Sequence, residues 1–297
     1  MLSGTHVSLN DLMMLGSKPN HKRLSPAHRS RKPQGEQTSR FRGRGVDFSE
    51  VRAYEPGDDI RTIDWKVTAR TNKPHTKLFR EEQEQNTLVL VDQRQSMFFG
   101  SRIRLKSVAA AEAAALAAWS AQRRNHRVGG VVVGNSSFTL RKPKQNAKAL
   151  ARYLSDIAAF NQALKAKYQS ATSNELIKSL KQLFQLRPRD TKIFLISDYL
   201  NSSSVWEEAF IKLGYQNELR AIHIYDPLEQ QLPEKGRYTV TDGNTRYRFD
   251  SGNAKTINHY QKDFTANQIA IKNLCVRFGI SYQFIPTDDP IDQFDWS

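Results

Sequence analysis

The chain of 297 residues has a single cysteine, Cys275, and no long hydrophobic run. One thiol cannot form an internal disulfide, which suits a reducing compartment. Apolar stretches such as residues 88–91 and 193–196 have the length of strands, far below the roughly 20 residues that cross a bilayer. Residues 1–16 lack the charged n-region and the long h-region of a signal peptide. We therefore expect a cytoplasmic protein without a transmembrane segment.

Several catalytic signatures are also absent. There is no Gly-x-x-x-x-Gly-Lys-Ser/Thr run, which argues against a P-loop ATPase, and no Gly-x-Ser-x-Gly elbow for acyl transfer. Cys275 has no neighbouring histidine, and the seven histidines are scattered without the spacing of paired metal ligands. A phosphatase with an aspartate nucleophile needs a second Asp two residues after the first. Two residues after Asp92, this chain has Arg94. These absences argue against most enzyme classes.

Positive charge is plentiful, and it is unevenly distributed. The formal net charge is +15, and residues 1–45 hold nine Lys or Arg residues against two acids, a net charge of +7. Residues 1–40 are also rich in Ser, Pro and Gly, which predicts a flexible, solubilising arm. The alternative for this arm is contact with nucleic acid or an anionic membrane through counterion release. By contrast, the last ten residues carry four aspartates and no base.

Beyond residue 86, short apolar runs alternate with segments of helical periodicity. Strands are predicted at residues 87–92, 128–133, 137–141, 192–197, 219–225 and 281–285. Helices are predicted at residues 103–124, 146–158, 174–186, 205–213 and 254–278. Residues 237–240 and 245–249 flank Asp242-Gly243, the signal of a small β-hairpin insertion. The order predicts an α/β fold of the Rossmann type, a doubly wound, mostly parallel sheet with helices on both faces.

Residues 45–70 are the most distinctive part of the sequence, because they are dense in charges of both signs. Within them, the run from Tyr54 to Asp59 contains Pro56-Gly57, a strong turn signal. Ile63, Trp65 and Val67 alternate with polar residues, the period of a half-buried strand. A charged turn joined to a short strand suits an internal ion-pair network or a docking surface, and the sequence leaves both open.

The same segment resembles a known family. Its residues Gly45, Asp47-Phe48, Arg52, Tyr54, Pro56-Gly57-Asp58, Arg61, Asp64-Trp65 and Ala69-Arg70 look like the signature of the bacterial domain-of-unknown-function family fifty-eight, and the likeness continues through Val91-Asp92, Ser96-Met97 and Phe99-Gly100. The resemblance extends over most of residues 41–297. It implies a signature segment at residues 41–86 and a von Willebrand factor A-like domain at residues 87–297. Such proteins are commonly encoded beside MoxR-type AAA+ ATPases, so the resemblance also implies a partner.

Three predicted strands end in an acid: Asp92, Asp198 and Asp226. Ligands of doubly wound folds bind at this edge of the sheet. In von Willebrand A domains the edge carries a metal-ion-dependent adhesion site, built from Asp-x-Ser-x-Ser, a Thr from a later loop and a further Asp. The resemblance therefore implies Mg²⁺ ligands at Asp92, Ser96 and Asp198, with Thr172 or Ser173 as the Thr position.

Arg94 departs from that pattern, because it stands where the middle Ser is expected. A guanidinium cannot ligate a cation and stays charged in proteins. Turned inward, Arg94 pairs with Asp92 and Asp198 and replaces the charge of a metal; turned outward, it leaves Asp92 and Ser96 able to hold Mg²⁺ weakly. The pattern thus predicts a degenerate site with no resident cofactor, and Mg²⁺ stays open.

We expect a non-enzymatic interaction adaptor, which the resemblance links to a MoxR-type AAA+ ATPase in the remodelling or maturation of client proteins. Other von Willebrand A-domain proteins are further candidate partners. Two surfaces are predicted to bind: the strand-end segment with Arg94, Met97 and Phe98, and the signature loop with Asp58, Asp59 and Arg61. The alternatives are a nucleic-acid-binding protein that uses the basic arm and a metal-dependent hydrolase at the strand-end aspartates.

Overall fold

The structure, a computed structural model, describes residues 1–17, 46–81, 85–165, 174–200, 203–232, 236–241, 246–251 and 254–296. The chain divides into two compact units, of which the first comprises Met1–Arg23 with Gln85–Ser297 and the second Leu24–Glu84. The basic residues from Lys18 to Arg44, on which the predicted arm rests, lie outside the described residues. Among the described helices, none is both long and apolar enough to cross a membrane.

A six-stranded sheet forms the centre of the first unit. Its strands are β3 (Asn86–Asp92), β4 (Arg127–Val133), β5 (Phe138–Lys144), β6 (Thr191–Ser197), β7 (Glu218–Tyr225) and β10 (Ser281–Pro286). They lie in the order β10-β7-β6-β3-β4-β5, and only β5, at one edge, runs antiparallel to its neighbour. The doubly wound, mostly parallel sheet predicted from the sequence is confirmed, and the acidic ends of β3, β6 and β7 share one edge.

Helices cover both faces of this sheet. On one face lie α3 (Lys106–Arg123) and α4 (Ala147–Ala163), with α1 (Leu9–Met14) against them; on the other lie α5 (Asn174–Gln185), α6 (Ser203–Gly214) and α8 (Ala254–Arg277). Alternate residues of β3 therefore enter different cores: Val89 and Val91 on the first face, Leu88 and Leu90 on the second. The nine alanines of α3 let its backbone approach the sheet closely, and the helix is buried on nearly all sides.

Several helix ends differ from the sequence prediction: α4 extends to Ala163 rather than to residue 158, and α6 begins at Ser203 rather than at residue 205. Helix α3 begins at Lys106 rather than at Ile103, because residues 103–105 follow the chain's own N-terminal segment: Arg104 forms a parallel bridge with Gly4. Helix α6 includes Gly214, which does not adopt the left-handed conformation of a capping glycine. Extended residues just before a helix can continue its apolar periodicity, so the sequence predicts a start for α3 that lies three residues too early.

The first residues of the predicted arm pack into the core instead of extending from it. Val7, Leu12 and Leu15 are buried, and the indole N–H of Trp119 on α3 donates to the carbonyl of Leu12 at 3.0 Å. Gly16 lies so close to Trp119 that a Cβ there would approach the ring at 2.6 Å. The apolar residues of this stretch provide the burial that a solvated arm lacks, so the arm does not begin at residue 1.

The second unit contains β1 (Val46–Ala53), α2 (Trp65–Thr71) and β2 (His75–Glu81), with the two strands antiparallel. The turn predicted at residues 54–59 is confirmed by the Asp58 N–H, which donates to the Glu55 carbonyl, and by a left-handed Gly57. The strand predicted around Ile63, Trp65 and Val67 is wrong, because α2 starts there. The carboxylate of Asp64 accepts from the backbone N–H groups of Lys66 and Val67 and caps that helix.

The remaining elements are small. Helix α7 (Pro227–Gln230) follows β7, and β8 (Arg237–Thr241) pairs antiparallel with β9 (Arg246–Asp250) as the predicted hairpin. The Asp242-Gly243 turn lies outside the described residues. The hairpin precedes α8 in the chain, so it is an insertion between the last two strands of the main sheet.

Candidate functional site

The candidate site lies at the carboxyl edge of the sheet. Asp92 is the last residue of β3, whereas Asp198 and Asp226 directly follow β6 and β7. All three are buried, with at most 1% of their surface exposed. A buried carboxylate is costly unless it is paired or hydrogen-bonded, so the partners of each aspartate determine what the site can do.

Arg94 points inward and pairs with Asp92. Its Nη2 lies 2.7 Å from Oδ2 and its Nε 2.9 Å from Oδ1 of the carboxylate, while its backbone N–H donates to Oδ1 at 3.0 Å. The hydroxyl of Ser197 donates to Oδ2 at 2.8 Å. Burial works against the charge of Arg94, but Asp92 and Asp198 raise the pKa of the guanidinium overall. This is the inward orientation considered from the sequence.

Lys106, the first residue of α3, brings a second cation to the site. Its Nζ donates to Asp198 at 3.0 Å and to Glu229 of α7 at 2.6 Å, with its own side chain fully buried. Although burial alone would lower it, the pKa of Lys106 is raised by Asp198 and Glu229, so the ammonium stays charged. Burial likewise opposes the charge of Asp198, but Lys106 and Arg94 lower the pKa of that carboxyl.

We call Asp92, Arg94, Lys106, Asp198 and Glu229 the strand-end site. Two cations face three carboxylates in it, within hydrogen-bond distance and largely away from solvent. Glu229 is the least buried carboxylate of the set, with 17% of its side chain exposed, and burial raises its pKa despite Lys106. The site is an internal ion-pair network that links the ends of β3 and β6 to α3 and α7.

The carboxylate of Asp226 takes no part in these ion pairs and has a structural role. Its carboxylate accepts hydrogen bonds from the hydroxyls of Ser101 and Thr287 and from the backbone N–H of Leu228, which caps α7. Burial alone would raise the pKa of Asp226, but the hydrogen bonds from Ser101 and Thr287 lower it. With its oxygens occupied, Asp226 does not join Asp92 and Asp198 as a third ligand or a free base.

The predicted Mg²⁺ ligands do not fit a metal ion in this arrangement. Both oxygens of Asp92 accept from Arg94, and Asp198 accepts from Lys106 and from the Leu200 N–H at 3.2 Å. Mg²⁺ requires free oxygens in near-octahedral geometry, so it would have to displace two buried cations. In the described part of the chain, no group of three or more His, Cys, Asp or Glu side chains is arranged to hold a metal.

Two other predicted ligands add little. The hydroxyl of Ser96 is buried, and within the described residues it has no hydrogen-bond partner. Thr172 and Ser173 lie outside the described residues. A single unpaired hydroxyl cannot by itself hold a divalent cation against the positive charges of Arg94 and Lys106.

The predicted partner-binding residues of the strand-end segment are mostly internal. Met97 has no exposed surface and Arg94 only 3%, so neither can serve as the surface anchor expected from the sequence. Met97 closes a 3-10 turn at Gln95–Met97 and packs in the core under α3, which removes its apolar side chain from water. Phe98 is half-buried with its ring 5.6 Å from that of His6, whereas Phe99 is 41% exposed.

The signature loop of the second unit combines structural and exposed groups. Asp58 accepts from Arg52 at 2.7 Å and from the backbone N–H of Glu55, and Asp59 accepts from the backbone N–H of Arg61. The pKa of Asp58 is lowered, chiefly by that backbone hydrogen bond. The Arg61 side chain is exposed. Of the three predicted binding residues, the two aspartates help to hold the loop, and Asp59 and Arg61 are exposed.

Lys106 and Glu229 are the residues of the strand-end site that sequence reasoning missed. Lys106 stands directly before a run of small and apolar residues in a helix that the sheet buries. A lysine there must either reach solvent or meet an acid, and the acid-ended strands nearby were a usable signal. Glu229 gave no comparable signal, because it comes from a one-turn helix that apolar periodicity does not show.

Comparison with known proteins gives relatives without an assigned role. Uncharacterized proteins of Mycobacterium tuberculosis (strain H37Rv) and Mycobacterium bovis are 28% identical over 203 residues, which is 68% of this chain. The match spans 62% of the length of each of these curated relatives, less than two thirds.

Two solved structures are similar in outline. The conserved hypothetical protein BatB from Bacteroides thetaiotaomicron has a TM-score of 0.39 and 12% identity, covering 70% of this chain and 96% of that one. The SpRpn10 VWA domain has a TM-score of 0.35 and 11% identity, covering 71% and 92%. The strand order and direction described above, rather than these values, establish the doubly wound fold.

The family assignment has firmer support. The model of the family described as "Protein of unknown function DUF58" matches residues 50–270, from the signature loop through most of α8. This match takes in well over half of the chain and all of the strand-end site. The chain therefore belongs to the DUF58 family, as the signature residues between Gly45 and Arg70 indicated.

Proposed function

We propose that this chain is a non-enzymatic protein-interaction module that works with a MoxR-type AAA+ ATPase in the remodelling or maturation of client proteins. The proposal rests on the buried ion pairs that join Asp92 to Arg94 and Asp198 to Lys106 inside the strand-end site. A von Willebrand A-like sheet whose acidic edge is occupied by its own cations is suited to rigid presentation of surfaces rather than to metal-dependent catalysis. The ATPase partner comes from the family resemblance.

The chemistry of the described residues favours this interpretation over a hydrolase. Asp92, Asp198 and Asp226 all have their oxygens engaged, so none is poised as a general base or nucleophile. His223 is buried beside Tyr282, and burial lowers its pKa to about 3. Burial raises the pKa of the Cys275 thiol to about 12, so it is not an activated nucleophile at neutral pH.

The second unit offers the contact surface that we assign to the ATPase. Ile60 is 64% and Trp65 68% exposed, and Arg61 lies between them in sequence with an exposed side chain. Tryptophan and arginine are among the residue types that dominate binding energy at protein interfaces, and Ile60 adds exposed apolar surface to the same short segment. Asp58 and Asp59 support this surface by fixing the loop.

The test is co-purification of the tagged chain with the MoxR-type ATPase encoded nearest to it, with ATP, with ADP and without nucleotide. Nucleotide-dependent capture is expected, and Arg61→Glu and Trp65→Ser should each weaken it about tenfold or more. Arg152→Glu, an equal charge reversal on the exposed side of α4, is the matched control and should leave capture unchanged. Failure of capture in every nucleotide state would overturn the proposal.

A further inference from the structure

A pocket of about 420 Å³ opens at the edge of the first unit opposite the strand-end site. It lies between the ends of α5 and α6 and the loops that lead into β6 and β7, and all of its lining residues belong to the first unit. Its lining includes Phe184, Arg187, Arg189, Lys212, Leu213 and Tyr215.

The walls of this pocket are held in place by backbone and amide hydrogen bonds. The side-chain amide of Asn217 donates to the carbonyls of Pro188 at 2.9 Å and Leu213 at 2.8 Å, and its oxygen accepts from the Thr191 N–H. The Asp190 N–H donates to the carbonyl of Gln216 at 2.9 Å, which ties one loop to the other. The pocket is therefore preformed, and a ligand would not have to order the loops.

The pocket carries unbalanced positive charge. Arg187 and Arg189 are exposed, and within the described residues neither guanidinium takes part in an ion pair or a hydrogen bond. Lys212 forms an ion pair with Glu208, with 2.5 Å between Nζ and Oε1, and the same Nζ lies 5.0 Å from the centre of the Phe184 ring. Two arginines with free donor forks favour a ligand with carboxylate or phosphate groups.

Apolar surface lies beside these charges. Leu213 is buried at the base of the pocket, the Phe184 ring is half-buried, and Tyr215 projects with 87% of its surface exposed. An aromatic with so much exposed surface beside free arginines is the arrangement found at the energetic centre of protein interfaces. The pocket thus offers an apolar contact and anion recognition within one cavity.

We propose that this pocket binds a short acidic segment of a partner protein, with its carboxylates on Arg187 and Arg189 and an apolar or aromatic side chain against Phe184 and Tyr215. Nucleic acid fits less well, because its backbone needs a row of cations that follows successive phosphates. Here only two cations are free, and Asp190 and Glu208 lie beside them. The inference is independent of the ATPase and of the surface formed by Ile60, Arg61 and Trp65.

Fluorescence anisotropy of the full chain with a labelled peptide, in which glutamates flank a single phenylalanine, tests the inference. Saturable binding is expected, and the double variant R187Q/R189Q should weaken it about tenfold or more, while Tyr215→Ser weakens it less. The double variant K148Q/R152Q removes the same charge from the exposed side of α4, on the other face of the sheet, and should stay within about twofold of the wild type. Thermal unfolding of each variant establishes that it is folded.

Three results would overturn the inference. If the wild type does not bind the peptide, the pocket is not a binding site for acidic segments. If both double variants lose the same affinity, the binding is general charge attraction and not recognition by the pocket. Tighter binding of a poly-dT oligonucleotide than of the peptide, with the same dependence on Arg187 and Arg189, would reassign the pocket to single-stranded nucleic acid. Because the peptide assay contains no ATPase, its failure leaves the co-purification result untouched, and the reverse also holds.

Discussion

At the scale of single residues, Lys106 is the group on which the strand-end site depends most. It is the only described side chain that contacts both Asp198 and Glu229 through a charge. Arg94 supplies the other cation, but it pairs with an aspartate two residues away and needs no long-range contact. Sequence reasoning found Arg94 because it breaks a pattern of small hydroxyl residues. It missed Lys106 because no local pattern marks a contact over 92 residues.

Replacing Lys106 by methionine should destabilise the fold strongly. The substitution keeps the length of the side chain but leaves two carboxylates without their cation, and breaking a buried ion pair in this way costs about 3–5 kcal/mol. The matched control is Lys178→Met, whose pair with Glu175 leaves the lysine side chain 63% exposed and should contribute about 0–1 kcal/mol. Urea unfolding of both variants measures the difference. Similar losses in the two would mean that Lys106 is not a buried counter-charge.

At the scale of elements, the sequence predicted the parallel sheet well and the signature segment poorly. The strands β3 and β6 are continuous apolar runs, and such runs bounded by polar residues indicate strands buried on both faces. Around Trp65 the alternation of apolar and polar residues covers only three apolar positions. The Asp64 carboxylate caps the backbone N–H groups that follow it, and this cap stabilises a helix instead of a strand. The spacing of apolar residues gives no information about such local hydrogen bonds, so it did not predict this helix.

The contact between β3, β4 and α4 gives a test of packing at the same scale. A Cβ on Gly130 of β4 would meet the Val89 carbonyl oxygen at 2.3 Å and the Tyr153 ring at 2.5 Å. Tyr153 cannot move away freely, because its hydroxyl donates to that carbonyl at 2.7 Å and its side chain is buried. Gly130→Ala should therefore cost about 1–3 kcal/mol or more by overpacking.

Gly214→Ala provides the control for that substitution. A Cβ at this position in α6 would meet no atom nearer than Leu219 Cδ1 at 3.6 Å, an ordinary van der Waals contact. Alanine at a helix position should leave the free energy of unfolding unchanged or raise it by up to about 1 kcal/mol. Denaturant unfolding of the two variants measures the change in the free energy of unfolding. If Gly130→Ala leaves that free energy unchanged, β4 and α4 pack less closely than described.

At the scale of the whole molecule, the strand-end site and the pocket lie at opposite edges of one sheet. The carboxyl edge holds the strand-end site, with five charges paired inside the protein, and the opposite edge holds the pocket with two free arginines. A formal net charge of +15 favours acidic partners for the chain in general. The sequence predicted the first location from strand ends, but not the pocket, because two loops remote in sequence form it.

We propose that Arg94 and Lys106 take the place of a metal ion at the strand-end site. Thermal unfolding with and without millimolar Mg²⁺ tests it most directly, because a ligand at 100 times its Kd would add about 2.7 kcal/mol and several degrees of Tm. We predict no shift for the wild type, and none for Arg94→Ser, since Lys106 still occupies Asp198. A rise in the Tm of the wild type that disappears in Asp92→Ala would contradict the account.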